Sequence, residues 1–144
     1  MSLCPIDTGA DKDVGYKASV TAVITDKMVR QFAEMSGDFN PIHLDDEFAA
    51  TTRFKKRIAH GMILGALVSR FLNEKIGAGG IYLAQTLKFS NPVFIDDEIT
   101  FHLEITKLHK KRGFGTIETI AIKQTGEIVL KGEATIMMAY GIKD

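Results

Sequence analysis

Apolar residues recur along this chain with two different periods, and the change from one to the other divides it near residue 80. Before that point the spacing is helical. Thr25 or Asp26 can cap a helix in which Met28, Val29, Phe32, Ala33 and Met35 fall three and four apart, stopping at Gly37. Asp45 or Asp46 can cap a shorter one through Phe48 and Ala50. The strongest helix is predicted from His60 to about Lys75, roughly 22 to 24 Å long at 1.5 Å per residue. Met62, Ile63, Leu64, Ala66, Leu67, Val68, Phe71 and Leu72 leave it almost no polar face, which predicts burial on nearly every side. It should end near Gly77, with a flexible turn at Gly79 and Gly80. Between the first two helices, residues 37–44 read as a rigid loop without regular structure, because Asn40 precedes Pro41 and is pushed toward extended geometry.

After Gly80 the period becomes two. Ile81, Leu83, Leu87 and Phe89 alternate with Tyr82, Ala84, Thr86 and Lys88, and Phe101, Leu103 and Ile105 alternate with polar neighbours. Two further runs, Gly115 to Gln124 and Ile128 to Met138, meet at a tight Thr125-Gly126 turn. Tyr16 to Thr25, rich in β-branched residues, adds one strand ahead of the helices. One strand, a buried helix and then an antiparallel meander predict an α+β domain whose sheet wraps around the helix. Residues 1–14 lack an apolar period and read as a loosely held lead-in to a single domain over 15–144.

Composition changes this picture little. At 144 residues and 45% hydrophobic, the chain can build one core without disulfides or a structural metal. Its 18 basic and 18 acidic side chains balance, so a nucleic-acid partner is not expected. A single cysteine, Cys4, has no base near it in sequence and receives no role. With no signal-peptide pattern and no apolar run of membrane-spanning length, the expectation is a cytoplasmic protein with no membrane partner.

Candidate chemistry is confined to one cluster. Gly77 to Tyr82 (GAGGIY) lacks the last glycine of a dinucleotide fingerprint and precedes a strand, and His43, His60, His102 and His109 have no metal-ligand spacing, so no metal site is expected. In Ser36-Gly37-Asp38-Phe39-Asn40-Pro41-Ile42-His43, a carboxylate and an imidazole stand five residues apart across a stiff turn. Such a pair can hold one water and move protons near neutral pH if the groups converge. The alternative is a helix end whose Asp38 and Asn40 only satisfy turn amides.

Asp38-Phe39-Asn40-Pro41-Ile42-His43, then Phe48-Ala49-Ala50-Thr51 and Ala59-His60-Gly61-Met62, resembles the R-specific enoyl-CoA hydratases, the MaoC-like hydratase 2 group. Ile81-Tyr82-Leu83 and Phe89-Ser90-Asn91-Pro92-Val93 extend the resemblance over roughly residues 15–140. It implies a hot dog fold and a homodimer or higher homo-oligomer that joins two sheets. The implied reaction adds water to a trans-2-enoyl-CoA, giving an (R)-3-hydroxyacyl-CoA, with no cofactor. Asp38 and His43 match the family's catalytic pair, Asn40 its asparagine, and Gly61 the glycine whose N–H receives the thioester carbonyl. Ser69 matches a serine lining the site in some members.

Two of these roles also have readings independent of the resemblance. The first amides of a helix are unpaired and partly positive, suited to an enolate oxygen, while Gly61 could equally serve to let helix and sheet approach. Ser69 could instead be a core serine bonding back to the Gly65 carbonyl. Lys55, Lys56 and Arg57 are candidates for CoA phosphate contacts, whereas Lys110-Lys111-Arg112 reads as a solvated hairpin turn. Three rivals stay open: a 3-hydroxyacyl-CoA or acyl-carrier-protein dehydratase, a non-catalytic acyl-CoA binding module and a thioesterase. The physiological role expected for a hydratase is supply of hydroxyacyl monomers for polyhydroxyalkanoate synthesis, or fatty-acid metabolism.

Overall fold

The computed structural model describes residues 6–142, so Cys4 lies outside the described residues. Strand β1 (Lys17–Val23) is followed by helices α1 (Asp26–Ser36), α2 (Pro41–Leu44), α3 (Asp46–Ala50) and α4 (Gly61–Phe71), the last continued by a π-helical turn, Leu72–Ile76. Strands β2 (Ile81–Gln85), β3 (Lys88–Phe89), β4 (Glu98–His109), β5 (Phe114–Lys123) and β6 (Ile128–Met137) follow, with a closing turn of helix α5 (Ala139–Ile142). The strands form one antiparallel sheet in the order β1-β4-β5-β6-β2, with β3 also on β6.

The core lies between α4 and one face of this sheet. Inward positions Ile99, Phe101, Leu103 and Ile105 of β4, Ile117 and Ala121 of β5, and Leu130, Ala134 and Ile136 of β6 meet Ile63, Leu64, Val68 and Phe71 of α4. Phe71 and Phe101 touch edge to face at 5.2 Å between centroids, an arrangement favoured by the ring quadrupoles. The meander predicted from the two-residue period is present, and the Lys110 turn is solvent-exposed, with Lys110 paired to Asp13.

Four expectations need correcting. Residues 41–44 are helical, because Pro41 sits at the first helical position, where its missing N–H costs nothing, and Asn40 accepts the Ile42 N–H as the cap. Helix α4 is not covered on every side, since Met62, Ala66, Ser69 and Arg70 are exposed. The run from Ile81 to Phe89 is two strands separated at Thr86 and Leu87, the first of them bulged between Tyr82 and Ala84, and both pair with β6, leaving β1 and β2/β3 as the sheet edges. Finally, the lead-in is tied down from residue 7 onward. The Ala78 N–H donates to the Asp7 carbonyl at 2.8 Å, and Gly9, at φ 74°, lies so close to the Ile76 carbonyl that a Cβ would be 2.0 Å from its oxygen.

Candidate active site

Local rules place the segment from Ser36 to Gly61. Gly37 ends α1 in the left-handed region at φ 79°, which turns the chain, and the next amides are taken up by nearby side chains. Ser36 Oγ accepts the Asp38 N–H at 3.1 Å, and Asp38 Oδ1 accepts the Asn40 N–H at 3.2 Å. The turn-amide role considered for Asp38 and Asn40 is therefore real. Asp45 caps α3 through the Phe48 N–H. The stretch Arg53 to Ala59 returns the chain to the start of α4, fastened by the Ala59 N–H on the Val93 carbonyl at 2.7 Å.

His43 is buried on α2, and its Nδ1 is 2.7 Å from the Ile58 carbonyl oxygen. A carbonyl only accepts, so Nδ1 carries the hydrogen and the lone pair of the neutral ring is on Nε2. Burial pushes the His43 imidazole below its ordinary value, opposed by the Ile58 carbonyl and Asp38 and assisted by His60. Asp38 is exposed on the adjoining loop. One donor atom each from Asp38, His43 and His60 lie within 4.8 Å of one another. One water with two hydrogen bonds of about 2.8 Å can bridge such a separation.

His60 was missed by sequence reasoning. It is 2% exposed, its Nε2 is 3.0 Å from the Asp38 main-chain oxygen, and its ring stacks on His43 at 3.9 Å between centroids. The available signal was its place directly before Gly61, as residue N-cap of α4 without a capping side-chain bond. The closeness of Asp38, His43 and His60 was not signalled by their spacing in sequence. A carboxylate with two imidazoles is a donor set that a zinc-like ion accepts, although an ion there would occupy the lone pairs that an acid/base pair needs.

Beside His43 a pocket of about 300 Å³ is lined by Gly61, Leu64, Phe89, Asn91, Val93 and Arg53, among others. Gly61 is the first residue of α4, so its N–H has no intrahelical acceptor. A Cβ there would come within 3.0 Å of the Phe89 ring, so the close-approach reading of Gly61 holds as well. The remaining sequence candidates separate. Ser69 is exposed in another groove, with Asn73, Tyr82 and Ile136, and its hydroxyl makes no hydrogen bond to the Gly65 carbonyl among the described residues, so it is not a core serine. Arg57 is withdrawn as a phosphate contact: its guanidinium pairs with Asp26 at 2.8 Å and Asp46 at 2.9 Å and donates to the His43 carbonyl. Lys55 and Lys56 are exposed, Lys56 standing over the Phe94 ring, while Arg53, overlooked in the sequence, reaches the pocket lining.

The family description of the MaoC like domain matches residues 8–127. The chain belongs to the MaoC-like family. Among MaoC-like relatives, the (R)-specific enoyl-CoA hydratase of Aeromonas caviae is 42% identical over 127 residues, spanning 88% of this chain and 95% of that protein. The mitochondrial 3-hydroxyacyl-[acyl-carrier-protein] dehydratase of Arabidopsis thaliana is 32% identical over 128 residues, spanning 87% and 76%. The solved structure of an unliganded R-hydratase from Pseudomonas aeruginosa aligns with a TM-score of 0.86 at 42% identity, covering 92% of this chain and 85% of that one. The fold is accordingly the hot dog fold expected from the resemblance.

Proposed function

We propose that this MaoC-like chain is an (R)-specific enoyl-CoA hydratase, adding water reversibly to a trans-2-enoyl-CoA. The observation that carries this reading is the convergence of Asp38 and His43 to within one water's span, beside a pocket that also contains the unpaired first amide of α4. Hydration puts hydroxide on C3 and a proton on C2 while negative charge builds on the thioester oxygen. Asp38 and His43 Nε2 hold the water, Nε2 accepts its proton, and the pair returns one proton to C2. The Gly61 N–H meets the developing oxyanion. Asn40 keeps Pro41 to Leu44 helical and so aims His43. No metal or organic cofactor takes part.

Arg53, Lys55 and Lys56 are the cations offered to the CoA phosphates at the pocket side. Ser69 keeps a substrate-lining role only if the acyl chain extends along α4 to its groove. The sheet continues into a second copy at the β2/β3 edge, where Ile81, Leu83 and Phe89 are exposed and Leu83 shares a groove with Met62 of α4. Light scattering that returns only a 15.9 kDa species at micromolar concentration would remove this dimer. The protein acts in the cytoplasm, in fatty-acid metabolism or in supplying hydroxyacyl monomers to a polyester synthase.

The deciding experiment mixes purified protein with crotonyl-CoA and longer trans-2-enoyl-CoAs and follows the enoyl ultraviolet absorbance, with a thiol assay alongside. Loss of absorbance without release of free CoA is expected. Unchanged absorbance at every chain length sinks the reading, and thiol release points to a thioesterase. The second reading, a dehydratase in the synthetic direction, draws on the plant carrier-protein relative, and carrier-bound substrates preferred over CoA esters would favour it.

A further inference from the structure

The hydration reading uses Asp38, His43 and the Gly61 amide, but it leaves His60 without a task. Three observations meet at this residue. It occupies the N-cap of α4, where Ser, Thr, Asp or Asn would bond the first amides, yet its side chain makes no such bond. Its Nε2 donates to the Asp38 main-chain oxygen at 3.0 Å, while its Nδ1 is sealed from solvent with no hydrogen-bond partner among the described residues. Its ring lies between Phe32, at 4.8 Å and 50°, and His43, at 3.9 Å and 32°.

A buried acceptor left unpaired opposes folding, and a phenylalanine could fill similar space without that cost. Packing alone therefore does not explain an imidazole at this position. What an imidazole adds is a single ring that can donate to the Asp38 backbone from one edge and stack on His43 with its face. Because His60 also directly precedes Gly61, the same residue touches or adjoins all three parts of the acid, base and oxyanion arrangement.

We propose that His60 is a positioning residue, which fixes the main chain of Asp38 through its Nε2–H and the plane of His43 through the ring stack, and so sets the separation and aim of the catalytic pair. This rests on the hydratase reading for its consequence in turnover, though not for its geometry. The groups facing His43 are His60 from the start of α4, Asp38 from the loop after α1, and the Ile58 carbonyl, with Arg57 behind its main chain held by Asp26 and Asp46. Among them, His60 opposes positive charge on His43 and Asp38 favours it.

The test compares His60→Phe, which keeps a ring against His43 but deletes the donor, with His60→Gln, whose amide can still donate toward Asp38. Each variant is checked for folding by circular dichroism and melting, then for kcat and KM on crotonyl-CoA across pH, and the His43 imidazole is titrated by nitrogen-15 NMR without substrate. His60→Phe is expected to lose about 10- to 100-fold in kcat, the scale of a misplacement near 1 Å. Its KM should stay within about threefold, since the loss falls on the reacting geometry and not on uniform binding. The His43 titration and the acid limb of kcat/KM should both move upward, because a neighbour opposing its charge is gone. His60→Gln should recover part of kcat while showing the same upward movement.

A folded His60→Phe with the parent's kcat and an unmoved His43 titration overturns the proposal. So does a loss of turnover that only tracks the loss of folded protein. If the phenylalanine variant does not fold, the His43 titration in His60→Gln decides alone, and an unmoved titration there is equally fatal. A parent protein inactive on all enoyl-CoAs would end the hydratase reading, whereas the NMR result bears on His60 alone.

Discussion

The β4–β6 meander and the segment from Ser36 to Gly61 are held together in opposite ways. In the meander, long registers such as Leu103 on Thr119 and Ile117 on Ala134 repeat the same contact many times, and the inward side chains share one core. The Ser36–Gly61 segment has little core of its own. Its shape rests on individual bonds: Ser36 and Asp38 on turn amides, Asn40 and Asp45 as caps, Arg57 across to Asp26 and Asp46. Redundancy makes the first region a store of stability, while singular contacts make the second a place where function can be lost with the fold intact.

The largest test of that contrast is in the segment. Asp38→Asn and His43→Gln should each lower kcat by about 10² to 10⁴, the range for a positioned acid or base, with melting temperature close to the parent. Together they should fall far short of additivity, since both act on one water. Near-parent turnover by either folded variant would erase the distinction. The complementary cut is Phe101→Ala in the meander, which removes the partner of Phe71 and should cost about 3 to 5 kcal/mol by denaturant titration while leaving kcat of the folded fraction unchanged.

Next comes Gly61, where the two regions meet. Gly61→Ala brings a Cβ against Phe89, and Gly61→Pro does the same while deleting the amide hydrogen. The proline variant should therefore be slower than the alanine variant by about 10² to 10³ in kcat, the worth of one oxyanion donor. Equal rates would mean that the thioester oxygen is held elsewhere. Asn40→Ala removes the α2 cap and should cost about 1 kcal/mol in stability, with a drop in kcat larger than that loss explains.

The smallest effect is on pH dependence. Because burial lowers the His43 imidazole from 6.5, the folded chain binds that proton more weakly than the unfolded chain. This contribution to stability is complete above 6.5 and is lost as pH falls toward the folded value, and the acid limb of kcat/KM should likewise lie below 6.5. A limb above 6.5 would assign it to another group.

The same contrast explains what could be read from the sequence. Period two in Phe101, Leu103 and Ile105 is a direct image of a sheet with one buried face, and the helical spacing of α1 and α4 is equally plain. Asp38 and His43 were legible because the stiff Asn40-Pro41 turn lies between them. His60 was not, because its contact with Asp38 joins residues 22 apart through a backbone oxygen, which leaves no pattern in side-chain type. Arg57 was misread for a related reason: a basic run looks alike in sequence whether its members face solvent or, as here, two carboxylates. The exposed stripe of α4 was misread as buried because hydropathy registers that a face is apolar without telling what covers it.

The lead-in gives the chain a built-in gauge. Asp7 and Gly9 reach the far end of the central helix, and the Ala78 amide is shielded by a bond to a residue some seventy positions earlier. Peeling away residues 7–12 would expose that amide to deuterium while the sheet amides stayed protected. Its exchange rate thus reports the opening of one strap separately from global unfolding.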